Sequence, residues 1–435
     1  MNWVVGLLTD TTWASWFVAF VVLYYVALWI ASFGRRRVEP RTNEYRPFVV
    51  ILVPALNEEA VIEQSLRRLL ALPYDDLLIV LINDGSNDRT SAIAEEVARV
   101  TDRLFIVNRR LPDARLGKSA ALNHGFNVVQ DLLRTSDVAL GARRAHDVLI
   151  GIVDADGWLD VNALAMVAPY FSDPQVGQLQ IGVKVANATT NLLTRLQDME
   201  FVGFSSFVQV ARDRIGSSGL GGNGQFTRLS ALEDLGRAPW TPAALTEDLD
   251  LGLCLVQLGW RTRFTNECFV HQQGLTRWRP LLKQRTRWIQ GHYQCWRFIP
   301  SLVKSSSARL AARLDLVAYL LLVITVVIVT FLLVTGLSTL FGWYVFRNDF
   351  LGFLPFGVVR NTASGFLMLA PITAFLTTYQ RHSDAPLRWW ELPAFGFVFT
   401  LYSYVWVIAT FRAWTRMLLR RTNWVKTPRV TARAS

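Results

Sequence analysis

The stretch FVVILVPALNEE, residues 48–59, decides the fold of this chain. It begins as a run of β-branched and aliphatic residues and ends in polar ones, which is typical of a strand buried on both faces of a sheet. Three further runs have the same form, namely Leu77–Ile82, Leu104–Val107 and Val148–Val153. We therefore predict strands over these runs and over Phe48–Val53.

Helical patterns lie between the first three strands. Glu59–Leu72 and Thr90–Val100 both show the spacing of amphipathic helices. Alternation of strands and helices predicts an α/β, Rossmann-like fold with a doubly wound parallel sheet. In such sheets the ligand lies beyond the carboxyl ends of the strands, so the chemistry is expected there.

Acidic residues follow the predicted strands at this edge. Glu58 follows the first strand, Asp84 the second, and Asp154 and Asp156 the fourth. These carboxylates would repel one another without a cation or hydrogen-bond donors, and a nucleotide with a divalent metal supplies both. Asp84 suits the imide N–H of uracil, Glu58 the base or ribose, and the Asp-x-Asp pair a diphosphate bridged by Mg²⁺ or Mn²⁺. Taken singly, such motifs are also typical of turns and helix caps.

Composition indicates a soluble domain joined to membrane segments. The chain has 435 residues, of which 51% are hydrophobic and 18% charged. The net charge is +11, and much of the excess of lysine and arginine lies beside apolar runs, as at Arg35–Arg37. This pattern is typical of the cytosolic flanks of membrane helices, so nucleic acid is not the expected partner. The three cysteines lack metal-site spacing and are predicted to be reduced and structural.

Four apolar segments are candidate transmembrane helices: Trp13–Phe33, Leu316–Leu340, Gly365–Tyr379 and Leu392–Phe411. The basic flank of the first places the N-terminus outside, so four crossings would leave the C-terminal tail outside as well. The basic residues from Arg416 to Lys426 instead favour a cytosolic tail. The number of crossings therefore stays open. Either 365–379 is a re-entrant or interfacial segment and not a span, or the weak apolar stretch Trp3–Leu8 changes the count; four full spans are preferred.

These patterns divide the chain into five parts. They are an N-terminal transmembrane helix (1–37), a cytosolic catalytic domain (38–275), interfacial amphipathic helices (276–314), a C-terminal membrane region (315–414) and a basic tail (415–435).

Two further motifs lie near the end of the soluble part. Thr246-Glu247-Asp248 suits either a catalytic carboxylate or an N-cap followed by acidic first-turn residues. Residues 284–288, QRTRW, combine two guanidiniums, an amide and an indole, a set that suits a diphosphate and a sugar ring. The alternative for this motif is the basic and aromatic face of an interfacial helix, Pro280–Phe298.

The ordered set of motifs resembles the membrane-embedded, processive family 2 glycosyltransferases, which include cellulose, chitin-oligosaccharide, hyaluronan and poly-N-acetylglucosamine synthases. The motif wording is most similar to the poly-N-acetylglucosamine type. The residues that carry the resemblance are PALNEE (54–59), NDGS (83–86), GKSAALN (117–123), DAD (154–156), GGNGQF (221–226), TED (246–248) and QRTRW (284–288).

The resemblance implies a GT-A-type catalytic domain and a role for each matching residue. The implied donor-binding residues are Ala55, Glu58, Asp84, Lys118, Asp154, Gln284 and Arg287. The implied acceptor-binding residues are Gly222, Asn223, Gly224, Gln225 and Trp288. Asp248, with Glu247, is the implied catalytic group, and Asp156 the metal ligand. His271 departs from the pattern; we favour a structural role and keep metal or phosphate binding as the alternative.

We therefore expect an inverting hexosyltransferase in a bacterial plasma membrane. It would use UDP-N-acetylglucosamine or UDP-glucose with Mg²⁺ or Mn²⁺ to extend a β-linked polysaccharide and help secrete it, with a homo-oligomer or a secretion partner completing the path. The first alternative is a non-processive transferase acting on a membrane lipid. A catalytically idle scaffold or cyclic-dinucleotide receptor is the second, and the retained acidic residues disfavour it.

Overall fold

The computed structural model describes residues 12–33, 45–135, 143–305, 308–322 and 371–420. One mixed sheet forms its centre, with the strand order β3-β2-β1-β4-β7-β6-β8-β5. The strands are β1 (Phe48–Ala55), β2 (Leu77–Asn83), β3 (Leu104–Asn108), β4 (Val148–Ile152), β5 (Trp158–Leu159), β6 (Val176–Val185), β7 (Gln225–Arg228) and β8 (Arg261–Gln272).

Helices cover both faces of the sheet and continue beyond it. They are α1 (Thr12–Phe33), α2 (Ile62–Leu70), α3 (Thr90–Ala98), α4 (Lys118–Thr135), α5 (Ala163–Val167), α6 (Leu192–Gly203), α7 (Val210–Ile215), α8 (Leu229–Glu233), α9 (Glu247–Gln257), α10 (Trp278–Gln294), α11 (Ile299–Lys304), α12 (310–322), α13 (371–382), α14 (Leu392–Ser403) and α15 (Val405–Leu418). A π-helical turn, Phe204–Gln209, joins α6 to α7.

The first half of the sheet matches the predicted strands. β1 pairs in parallel with β2 and β4, and β2 pairs in parallel with β3. The register places Ala55 opposite Asn83 and Asn83 opposite Asn108. The carboxyl ends of these strands therefore meet at one edge, as the sequence predicts.

The second half departs from the parallel sheet that we expected. β7 is antiparallel to both β4 and β6, while β6 and β8 are parallel. Because β7 runs against β4, its first residue, Gln225, lies opposite Ile152 at the carboxyl end of β4. The reversal brings the glycine-rich loop before β7 to the edge that carries Asp154.

Two apolar layers enclose the sheet, one on each face. Val49, Ile51 and Val53 of β1 point into the layer beneath α2 and α3. Val50 and Leu52 point into the opposite layer with α4 and α9. This alternation is what a strand buried on both faces requires, and it fixes where each strand ends.

The helices after the domain pack back onto it. The α10 helix lies along α15, where Trp414 donates to the Tyr293 hydroxyl at 2.7 Å and Arg416 to Gln290 at 3.0 Å. The α1 helix is joined to α12 by a 2.8 Å hydrogen bond from Tyr24 to Asp315.

One apolar helical stretch, Leu392–Leu418, is long enough to cross a membrane within the described residues, and Ala19–Phe33 is a shorter apolar helix. The candidate span Leu316–Leu340 lies mostly outside the described residues, as does part of 365–379. The number of crossings therefore stays a prediction. Phe20, Leu23 and Ile30 of α1 are each 64% exposed, which is the surface that a lipid-facing helix presents.

Candidate active site

The loops after β1 and β2 form one side of the site and are tied to each other. The backbone N–H of Asn57 donates to the Ser86 hydroxyl at 2.9 Å, and the backbone N–H of Asn87 donates to Asn57 Oδ1 at 2.9 Å. Asn57 has a φ of 53°, a left-handed conformation that asparagine tolerates better than most residues. The backbone of Glu58, whose side chain is buried, donates to Thr90 at 2.8 Å. These bonds fix the two loops, which carry the predicted donor-binding residues Glu58 and Asp84.

Asp84 is buried at the same edge and is held by two arginines. Its Oδ1 accepts a hydrogen bond from the Arg109 guanidinium and another, at 3.1 Å, from the Arg115 amide. Burial raises the pKa of Asp84, although both arginines act in the opposite direction. Sequence reasoning missed Arg109; its position directly after β3, at a strand end, is the signal that would have found it.

Lys118, the first residue of α4, connects three predicted site segments. Its Nζ lies 2.6 Å from Asp154 Oδ1, 3.3 Å from Glu247 Oε1 and 3.4 Å from the Gly222 carbonyl oxygen. Burial acts to lower the pKa of Lys118, but the charges of Asp154 and Glu247 raise it above its usual value. The ammonium group therefore stays charged and holds the ends of β4 and α9 close together.

Asp248 lies in the first turn of α9 and is half-buried. Its Oδ1 accepts a hydrogen bond from the Leu249 amide at 2.8 Å. Burial and the charge of Glu247 raise the pKa of Asp248 to about 7, against the opposing charges of Lys118 and Arg287. A carboxylate with this pKa can accept a proton near neutral pH.

The alternative interpretation of Thr246-Glu247-Asp248, a helix N-cap followed by acidic first-turn residues, agrees in part with the structure. The helix begins directly after Thr246, and acidic side chains occupy its first turn. The Thr246 side chain, however, makes no capping hydrogen bond. The helix start therefore positions Asp248 without requiring the threonine hydroxyl.

The glycine-rich loop touches the predicted base. Gly222 has a φ of +78°, and a Cβ added there would lie 2.9 Å from Asp248 Oδ2, so a side chain would displace the Asp248 carboxylate and strain the backbone. Asn223 accepts a hydrogen bond from the Asp154 amide at 3.1 Å. Gln180 of β6 binds the same loop through Gly221 N at 2.8 Å and Asn223 O at 2.8 Å. Gln180 belongs to no recognised motif, so its contacts with the glycine-rich loop could be found only from the pairing of β6 with β7.

Gly224 and Gln225 lie deeper than the rest of this loop. Gly224 has a φ of +69°, and a Cβ there would lie 2.6 Å from Val270. Gln225 is buried in β7 between Ile152 and Gln180. Both residues shape the loop from below, and their predicted contact with an acceptor stays a prediction.

The QRTRW motif divides between two environments. Arg287 donates to the Leu245 carbonyl at 2.9 Å and lowers the pKa of Asp248 by its charge. Arg285, fully buried, instead donates to Glu200 at 2.6 Å and to Gln284 Oε1 at 2.7 Å. Of the two guanidiniums, Arg287 therefore lies where its charge acts on Asp248, whereas Arg285 ties α10 to α6, and donor binding by Arg287 stays a prediction.

Trp288 lies at the boundary between the domain and the last helices. Its ring is half-buried, 6.2 Å from the Phe201 ring and 6.1 Å from the Trp406 ring, between ring centroids. The Arg285 guanidinium lies 4.1 Å from the centroid of Trp288. The indole is thus fixed by neighbours on α6, α10 and α15, and its acceptor role stays a prediction.

The candidate metal ligands differ in their surroundings. Asp156 is buried and accepts a hydrogen bond from the Gln273 amide at 3.4 Å. His271 Nε2 lies 2.8 Å from Asp160 Oδ1, and its ring stacks on Trp158 with 5.4 Å between centroids. These contacts hold His271 at the β5–β8 ladder and support the structural role that we favour, which stays a prediction.

No cluster of three metal-ligating side chains occurs in the described part of the chain. The two carboxylates after β4 nevertheless fit Mg²⁺ or Mn²⁺, which commonly bind through one or two carboxylates together with substrate phosphates. Asp154 and Asp156 are the residues that would hold such an ion.

The fold is that of the GT-A class of glycosyltransferases. A solved mannosyltransferase, PcManGT from Pyrobaculum calidifontis in complex with GDP-mannose and Mn²⁺, matches 96% of this chain and 99% of its own, with a TM-score of 0.60 and 18% identity. At this identity the likeness establishes the fold alone.

The chain belongs to glycosyltransferase family 2. Residues 46–291 match the family described as "Glycosyltransferase like family 2". A β-monoglucosyldiacylglycerol synthase from Synechocystis sp. is 34% identical over 262 residues, which cover 58% of this chain and 50% of that protein. A poly-β-1,6-N-acetyl-D-glucosamine synthase from Staphylococcus aureus is 25% identical over 248 residues, 57% of this chain and 55% of that one. The expected enzyme class is thereby confirmed, and the chain spans about half the length of these relatives.

Proposed function

We propose that this protein transfers glucose from UDP-glucose, with inversion, to the hydroxyl group of a diacylglycerol-type membrane lipid. The alternative that we kept open, a non-processive lipid glycosyltransferase, thereby replaces polysaccharide synthesis as the preferred function. The glucolipid synthase from Synechocystis sp. is 34% identical, against 25% for the polysaccharide synthase.

The observation that carries the proposal is the position of Asp248 relative to the last helices. The positive charge of Arg287, on α10, acts on the Asp248 carboxylate. The α10 helix packs along α15, which forms the second half of the candidate span Leu392–Leu418. Apolar side chains of that span are exposed, with Phe397 at 66% and Leu401 at 54%. A lipid whose chains lie along this helix would present its headgroup close to the predicted base.

The chemistry of the site suits inverting transfer. A carboxylate with a pKa of about 7 can take the proton from an attacking hydroxyl group. Lys118, between Asp154 and Glu247, and Arg287 place positive charge where the donor diphosphate is predicted to lie. A divalent ion held by Asp154 and Asp156 would neutralise part of the diphosphate charge when bound.

Extension of a polysaccharide by repeated transfer remains the second candidate. It is supported by the fixed position of Trp288 between the domain and α15, where a growing chain would leave the site for the membrane. It would further require a path across the bilayer.

Product analysis decides between the two. The full-length protein in vesicles that contain diacylglycerol would be given UDP-[¹⁴C]glucose, and the products separated by organic extraction and thin-layer chromatography. We expect an extractable lipid that carries one glucose. Label in a water-soluble polymer that is digested by a β-glucanase would overturn the proposal in favour of the second candidate.

A further inference from the structure

A basic cavity lies between α10 and α15, beside the predicted site. Its volume is about 90 Å³, and it is lined by Leu245, Lys283, Thr286, Arg287, Gln290, Arg412 and Arg416. By this measure a water molecule needs about 10 to 15 Å³, so the cavity has the size for a small group such as a phosphate. Four of its seven lining residues are cations, and none is acidic.

The spacing of these cations is unfavourable without an anion. Lys283 and Arg287 are four residues apart on α10, and Arg412 and Arg416 are four apart on α15. Like charges at this spacing destabilise a helix, and here two such pairs face each other across the cavity. The Asp248 carboxylate interacts with the charge of Arg287. In the described part of the chain, Lys283 and Arg412 form no salt bridge with a carboxylate. A bound anion would remove this repulsion.

The cavity lies at the end of an apolar helix, where the headgroups of a bilayer are expected. Arg412 and Arg416 occupy the last turns of the stretch Leu392–Leu418. Phe411 and Leu418 on the same helix are 50% and 84% exposed, and Trp414 donates its indole N–H to Tyr293. Aromatic and basic residues at a helix end are typical of the membrane interface.

We propose that this cavity binds the phosphate of an anionic phospholipid headgroup. Arginine and lysine are the usual partners of phosphate, and the guanidinium fork can bind two of its oxygens at once. Lys283 and Arg412 belong to neither the predicted donor site nor the predicted acceptor site. This lipid would be a third ligand, separate from the nucleotide-sugar donor and from the neutral lipid acceptor. Because Arg287 lines the cavity and also acts on Asp248, the bound lipid would make the predicted site sensitive to the charge of the membrane.

Thermal stability of the full-length protein in a neutral detergent tests the proposal independently of catalysis. Short-chain phosphatidylglycerol should raise the melting temperature of the wild type by at least about 2 °C. The double variant Lys283→Gln/Arg412→Gln should lose that rise, and Arg420→Gln, which removes one positive charge beyond the cavity, should keep it. Both substituted side chains are exposed, so the variant is expected to fold, and its melting temperature without lipid verifies this.

Melts with other ligands show whether something other than an anionic lipid binds in the cavity. An equal rise with phosphatidylcholine or with inorganic phosphate would overturn the assignment to an anionic lipid. If the double variant also loses stabilisation by UDP with Mn²⁺, the cavity belongs to the donor site and the proposal is wrong. Retained stabilisation by UDP with lost stabilisation by phosphatidylglycerol supports it, whatever the product analysis shows.

Discussion

The two sides of the site are held together by different means. The loops after β1 and β2 are closed by short-range hydrogen bonds among Asn57, Ser86 and Asn87. The opposite side is held by charges on separate elements, with Lys118 on α4, Asp248 on α9 and Arg287 on α10. The first side is fixed by hydrogen bonds, whereas on the second side the charges shift the pKa values of their neighbours. Changes to the side chains that close the loops of the first side should therefore alter stability, and changes to the charges of the second side should alter the reaction.

Asp248→Asn gives the largest expected effect. It removes the predicted base and should reduce kcat by about 10²- to 10⁴-fold, with a melting temperature close to that of the wild type. The matched change on the other side is Asp88→Asn, which replaces charge-assisted hydrogen bonds from Thr90 by weaker neutral ones and should cost stability by about 1 kcal/mol with little loss of kcat. Steady-state kinetics and thermal melts measure both. A reversed pattern would break the distinction between the two sides.

The two arginines of QRTRW allow a second comparison. Arg285→Met leaves Glu200 without its buried cationic partner and should destabilise the protein by about 3 to 5 kcal/mol. Arg287→Gln should leave stability within about 1 kcal/mol while it raises KM for the UDP-sugar. Denaturation and donor titration separate the outcomes. An equal loss of stability in both variants would contradict the division of the motif.

Gly222→Ala tests how closely the glycine-rich loop approaches the base. The added Cβ would lie 2.9 Å from Asp248 Oδ2, at a backbone φ that alanine disfavours. We expect kcat to fall by about tenfold, which corresponds to about 1.4 kcal/mol in the barrier. Gly216→Ala, also at positive φ but with no atom of the described residues within 4 Å of the added Cβ, is the control for backbone strain. If both variants lose the same activity, contact with Asp248 is not the cause.

The pH dependence gives the smallest and most specific effect. A base must be deprotonated, so kcat/KM should rise with pH through about 7, the pKa of Asp248. Arg287→Gln removes a charge that lowers this pKa, so the rise should move to higher pH. Glu247→Gln removes a charge that raises it, so the rise should move to lower pH. Shifts in the same direction in the two variants would show that the profile reports another group.

Local patterns in the sequence predicted the first half of the sheet well. Phe48–Val53 and Leu77–Ile82 fall within β1 and β2, because short apolar runs with polar ends have one favourable arrangement in a covered parallel sheet. The same local chemistry correctly indicated that acidic residues end the strands.

Non-local contacts explain what the sequence did not predict. The reversal of β7 depends on pairing with β4 and β6, which no local pattern specifies. The burial of Arg285 depends on Glu200, 85 residues earlier in the chain, so the chemistry of the motif alone did not distinguish the two arginines, and only the family resemblance singled out Arg287. Arg109 and Gln180 likewise acquire their contacts from neighbouring strands.

The most direct test of the proposed function is acceptor-dependent UDP release by the purified full-length protein. UDP-glucose and UDP-N-acetylglucosamine would be compared in micelles with and without diacylglycerol, for the wild type and for Asp248→Asn. We predict release from UDP-glucose that requires diacylglycerol and is lost in Asp248→Asn. Release that is unchanged in Asp248→Asn would contradict the assignment of the base, and release that is indifferent to diacylglycerol would contradict the lipid acceptor.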